Sequence, residues 1–174
     1  MFGKALGNGY AITAVIGKEE IMQSAQDTFI SSTFWTERIG PTAGIATLNE
    51  MERLNSWEII TSTGQTIKKN WQKLASENSI NIEITGMDAL ATFVIKSENW
   101  LKYKTYITQE MLNKGFITSN VIYSSTKHSE KIVNHYFESL SEVFKKIGQF
   151  EKDIDSVDNH LFSEVCQSGF KRLN

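Results

Sequence analysis

The sequence predicts an α/β chain that closes with a small α+β unit. Three observations carry this. Ile80, Ile82 and Ile84 alternate with Asn81, Glu83 and Thr85, the period of two of a half-buried strand. Trp100, Tyr103, Ile107 and Met111, and later Ile132, Tyr136, Leu140, Phe144 and Ile147, recur every three or four residues, as on one face of a helix. The order strand, strand, helix, strand, helix packs as a sheet with helices on one face.

Tyr10–Ile16 is a short apolar run between glycines and reads as a buried strand. Residues 18–26 follow as a short helix with Ile21, Met22 and Ala25 on one side. Residues 28–40 lack a helical period, are rich in Ser and Thr, and read as a loop. Pro41, the only proline, suits the first position of a helix that starts with Ala43, Ile45, Ala46 and Leu48. A second stripe, Ile60, Ile67, Trp71 and Leu74, carries helix to about residue 76, with a bend expected at Asn55-Ser56 or Gly64. Gly86-Met87-Asp88 turns into a second strand at residues 90–95, and Gly115 stands where a C′ glycine would end the next helix. Residues 116–123 read as the third strand, and Ser129 as the N-cap of the last helix. Residues 151–163 are polar and read as a linker, and 166–173 as a short tail.

Composition narrows the function classes. The chain has 174 residues, with 18 basic against 20 acidic side chains and a net charge of −2. That balance disfavours a nucleic-acid or anionic-membrane surface. No apolar run approaches the roughly eighteen residues of a membrane span, and the N-terminus lacks the apolar core of a signal peptide. The single cysteine, Cys166, forms no internal disulfide and fits a reducing, cytoplasmic setting. His128, His135 and His160 have no partners at metal-ligand spacing, so no metal site is expected. His128 reads as a capping or packing residue. Trp57, Trp71, Trp100 and Phe144 fall at helical spacings and read as core.

The chemistry concentrates near the start. Gly3-Lys4-Ala5-Leu6-Gly7-Asn8-Gly9-Tyr10 sets a lysine in a glycine-rich turn. A partly desolvated lysine can act as a free amine and attack an aldehyde. By its own surroundings Lys4 reads first as a solvated surface lysine. The turn is no nucleotide P-loop, because Gly-Lys is followed by Ala rather than Ser or Thr. Ser31-Ser32-Thr33, ahead of Phe34-Trp35, offers hydroxyls and amides to a phosphate, or a Ser/Thr turn anchored by aromatics. Glu37-Arg38 reads either as a polar lid or substrate contact, or as a solvated charge pair.

Phe2-Gly3-Lys4-Ala5-Leu6-Gly7-Asn8-Gly9-Tyr10 with Val15-Ile16-Gly17 resembles the cofactor-lysine segment of class III pyridoxal-phosphate-dependent aminotransferases. It is most similar to the glutamate-1-semialdehyde aminomutase-like branch. Ser32-Thr33-Phe34, then Ala43-Gly44-Ile45-Ala46-Thr47-Leu48, resembles the segment that follows in that family. Gln109-Glu110-Met111-Leu112, Gly115, Ser119-Asn120 and His128-Ser129 recur in its small domain in the same order.

The resemblance implies the C-terminal part of a fold-type-I transferase. Residues 1–55 would be a remnant of the cofactor-binding large domain, 56–150 the small α+β domain, and 151–174 a linker and tail. It implies pyridoxal 5′-phosphate as cofactor, a small amino or keto substrate, and a homodimer in the full-length enzyme. Lys4 matches the Schiff-base lysine, and Thr33 the threonine that binds the cofactor phosphate across the subunit interface. Ser32 stands where the family commonly has glycine, and Glu37-Arg38 replaces more usual small and amide residues. The family's pyridinium-pairing aspartate, stacking aromatic and phosphate loop precede the lysine, so the chain reads as a C-terminal segment. It would be inactive alone: either part of an enzyme, or a non-catalytic remnant or split-gene half needing an N-terminal partner. No arginine lies between Phe116 and His128, where some members place a carboxylate clamp, which leans toward the aminomutase-like branch.

Overall fold

Three antiparallel strands, β1 (Ile82–Thr85), β2 (Leu90–Ile95) and β3 (Val121–Tyr123), form a sheet in the order β1-β2-β3. This computed structural model describes residues 1–30 and 33–169, and the chain divides into two units, Met1–Ser56 and Trp57–Asn174. The helices are α1 (Glu19–Met22), α2 (Ile39–Leu54), α3 (Ser56–Glu77), α4 (Trp100–Asn113) and α5 (Glu130–Phe150).

In the second unit the register pairs Ile82 with Ile95, Ile84 with Phe93 and Ala91 with Ile122, which turns these apolar side chains to one face. Phe93, fully buried, sits at its centre. Its ring lies 4.7 Å from Trp71 of α3, 5.8 Å from Phe144 of α5 and 6.2 Å from Trp100 of α4. Three helices thus converge on one strand residue. Burying each such aromatic contributes roughly 1.5–3 kcal/mol. Within this core Trp71 Nε1 donates to the Tyr136 hydroxyl at 3.2 Å, and burial pushes that phenol up to about 12.

Several expectations change here. The third strand is shorter than 116–123: only Val121–Tyr123 pairs with β2. Just before it, the Asn120 carbonyl accepts from the Phe93 amide at 3.0 Å and the Asn120 side-chain amide donates to the Phe93 carbonyl at 2.9 Å. Phe116 instead packs on Tyr136 and His135, with ring centres 5.8 and 5.2 Å away. Asn55, in the left-handed region at φ 53°, caps the C-terminus of α2. Gly64 lies inside α3 rather than at a break, where a Cβ would meet the Asp88 carbonyl oxygen at 1.7 Å. Trp57 is 48% exposed and belongs to no core. Residues 151–163 are no free linker: they carry a 3-10 turn, Val157–His160, and Val157 is buried.

The expected termini of α4 and α5 hold. Gly115 follows α4 at φ 86°, and the Ser129 hydroxyl accepts from the Ile132 amide at the start of α5.

In the first unit the apolar run 10–16 forms no strand. A single antiparallel bridge joins Phe2 and Ala14, and Val15 and Ile16 are exposed. A strand needs a neighbour along its length, and among the described residues none runs beside this one. α2 begins at Ile39, so Pro41 is its third residue; that amide has no intrahelical partner either, and proline is tolerated there.

Candidate active site

The lysine turn is a closed loop. Phe2 and Ala14 exchange backbone hydrogen bonds of 2.7 and 2.9 Å, and between them a 3-10 turn, Lys4–Leu6, carries the amine. Amides of Leu6, Asn8 and Tyr10 donate to the carbonyls of Gly3, Ala5 and Gly7. Lys4 itself lies at φ 48°, a left-handed conformation that costs a non-glycine residue free energy and clusters at functional sites. Its side chain is exposed, and no described residue accepts a hydrogen bond from Nζ.

Glycines fix where that turn sits. Gly7 is buried, and a Cβ there would stand 2.0 Å from the Tyr10 carbonyl oxygen. On α2, a Cβ at Gly40 would approach the Ala11 carbonyl oxygen to 2.6 Å, and one at Gly44 would touch Ile12 and Leu6 at 3.5 and 3.8 Å. Gly40 and Gly44 are four residues apart, so they form one smooth stripe along which the turn lies. That spacing is visible in the sequence, yet only the packing reveals its purpose.

Glu37 has a definite role. Its carboxylate accepts from the Ile39 amide at 2.6 Å and the Gly40 amide at 2.7 Å, capping α2 where negative charge is favoured. It is neither a lid nor half of an ion pair with Arg38. Arg38 is exposed and lines a shallow depression of about 390 Å³ with Tyr10, Ile39, Thr42, Ala43 and Ala46. Thr33 is exposed in the turn ahead of Glu37. Ser32 lies outside the described residues. The structure therefore gathers Tyr10, Arg38 and Thr42 around one depression and leaves Lys4 and Thr33 exposed beyond its lining.

The histidines serve other ends. His128 Nδ1 accepts from the Ser125 amide at 3.3 Å, as expected of a residue just ahead of a helix. His160 pairs with Asp155 at 2.7 Å. Among the described residues no three His, Cys, Asp or Glu side chains converge as a metal site, and no helix is long and apolar enough to cross a membrane.

Comparison with known proteins decides the family. The model for "Aminotransferase class-III" matches residues 1–140. The chain belongs to the class III aminotransferase family. A 3-aminobutyryl-CoA aminotransferase of Cloacimonas acidaminovorans is 31% identical over 147 residues, covering 84% of this chain and 35% of that protein. A glutamate-1-semialdehyde 2,1-aminomutase of Ignicoccus hospitalis is 29% identical over 161 residues, covering 83% and 38%. The chain thus spans little more than a third of the length of these relatives. The Sphingopyxis sp. MTA144 FumI protein, solved in its PLP internal aldimine form, superposes with a TM-score of 0.77 at 18% identity. The match covers 86% of this chain and 37% of that one, and shows the expected fold class, part of an α/β aminotransferase fold.

Proposed function

We propose that this chain supplies the C-terminal part of a pyridoxal-phosphate-dependent aminotransferase or aminomutase acting on a small amino or keto compound. Lys4 would bond the cofactor, and Thr33, with the backbone at Ser32, would bind its phosphate. The observation that carries this is Lys4 itself: a left-handed lysine in a turn pinned to α2, its amine free of any described acceptor. An amine and a hydroxyl are donors that suit an aldehyde and a phosphate, so the residues present fit part of the group. Bound pyridoxal phosphate supplies an electron sink for the carbon that bears the amino group.

Lys4 Nζ, when free, would carry a proton to and from that carbon. The glycine stripe under the turn would keep Nζ in place while it does so. Thr33 Oγ1 would donate to a phosphate oxygen, in this family across the interface of a homodimer. Relatives bearing both names leave amino transfer between molecules and migration within one molecule as branches of the same chemistry. A reducing cytoplasmic setting belongs to the same proposal.

A second reading has its own support. Among the described residues, no hydrophobic side chain of residues 1–56 is buried: Phe29, Trp35, Ile16 and Ile39 are 94%, 70%, 70% and 63% exposed. Such a surface belongs against another polypeptide surface. On this reading the chain is a half that needs a complementing polypeptide.

One experiment addresses both. The chain, alone and mixed with a polypeptide carrying the remaining family sequence, is incubated with pyridoxal phosphate, reduced with borohydride and peptide-mapped. The label should fall on Lys4 when the complement is present. Label spread over surface lysines, or absent from Lys4 in the mixture, removes Lys4 from the site.

A further inference from the structure

The family match stops at residue 140, and within the second unit residues 155–166, beyond α5, are fastened to α4 and α5 by polar side chains. Asp155 collects three groups: Lys146 Nζ at 2.5 Å and His160 Nε2 at 2.7 Å on Oδ2, and the Ser156 amide at 2.7 Å on Oδ1. Gln109 of α4 works in both directions. Its Nε2 donates to the His160 carbonyl at 2.7 Å, and its Oε1 accepts from the Phe162 amide at 2.9 Å. Lys102 pairs with Asp158 at 2.7 Å, and Thr105 Oγ1 accepts from the Cys166 amide at 2.9 Å.

Apolar anchoring is thin by comparison. Val157 alone enters the main core cluster and Leu161 packs against it, while Phe162 is 78% exposed. Beneath the segment, Tyr103, Ile107 and Met111 of α4 and Leu140, Phe144 and Ile147 of α5 are buried in the main core cluster. We infer that residues 155–166 are a releasable strap, which closes over Tyr106 and Phe150 and opens as one unit while the core stays folded. The His160 ring stands 6.3 Å from Tyr106 and 5.4 Å from Phe150. A segment held by a few partly exposed polar bonds opens at a small fraction of the global free energy. Opening also sets Gln109 and Thr105 free to bond elsewhere.

Cys166, the only cysteine, reports on the strap. Its thiol donates to the Leu101 carbonyl of α4 at 3.5 Å, just beyond Phe162 and the Gln109 clasp. The test compares the full chain with Gln109→Ala and with the milder Asp155→Asn. It reads the thiol-labelling rate of Cys166 by DTNB and amide exchange at Cys166, Ile107 and Leu140. Losing both Gln109 hydrogen bonds should speed exchange and labelling at Cys166 roughly tenfold or more, with Ile107 and Leu140 unchanged. Acceleration of all three amides together would mean that the segment opens only with the core, and no acceleration that the clasps do not hold it. Either result overturns the strap.

Discussion

A methyl group at residue 64 would occupy space already held by the Asp88 carbonyl oxygen, 1.7 Å away. Backbone cannot yield as a flexible side chain does, and Lys68 and Gln65 grip the same turn through the Asp88 carboxylate at 2.8 and 3.0 Å. Alanine normally gains about 1 kcal/mol over glycine within a helix. Here steric overlap should win, and Gly64→Ala should destabilise the second unit by about 1–3 kcal/mol. A urea midpoint that rises instead would show that the turn moves aside. At this scale the sequence was only partly legible. It offers Asn55-Ser56 or Gly64 as the bend; the break falls at Asn55, and Gly64 misleads because close approach of a turn 24 residues later leaves no local mark.

Helix and strand termini were legible where a side chain acts on its own neighbours. Ser129 is read as an N-cap from its position, and its hydroxyl does accept from Ile132 at 3.4 Å. Ser129→Ala should lower stability by about 0.5–1 kcal/mol, the weaker end of capping effects, since the bond is long. Thermal unfolding followed by far-UV circular dichroism measures it, and an unchanged Tm would assign the cap to Glu130 and solvent instead. Where a partner lies elsewhere in the chain, the reading went astray. Residues 10–16 have a strand's composition but no neighbouring strand among the described residues, and residues 151–163 have a linker's composition yet are held by α4 and α5. Glu37, whose sequence reads as a lid, a substrate contact or half of a solvated charge pair, accepts from the amides of α2.

Across the whole molecule the acidic groups set how stability follows pH. Hydrogen bonds from Lys146 and then His160 hold Asp155 well below the usual carboxylate range. Lys68 and then Gln65 lower Asp88, and Lys114 lowers Glu142. In the unfolded chain these carboxylates regain ordinary values near 4, so below that pH the unfolded state binds more protons. Stability from these pairs is therefore fully present above about pH 5 and declines as pH falls below about 4. Asp155→Asn should flatten the dependence of Tm on pH in that acid range and leave its shape near neutrality unchanged. An unaltered acid slope would mean that Asp155 is not held low.

The bare apolar surface of residues 1–56 has a thermodynamic counterpart. The heat-capacity increment of unfolding comes from apolar area that leaves water on folding, typically about 12–15 cal/mol/K per residue. A unit that buries none of its described hydrophobic side chains fully, and leaves the largest of them exposed, has little such area to release. Calorimetry of this chain would thus weigh residues 57–174 and pass almost silently over the segment that carries Lys4. The missing increment would appear only when a complementing surface closes over residues 1–56, as a negative heat-capacity change of association.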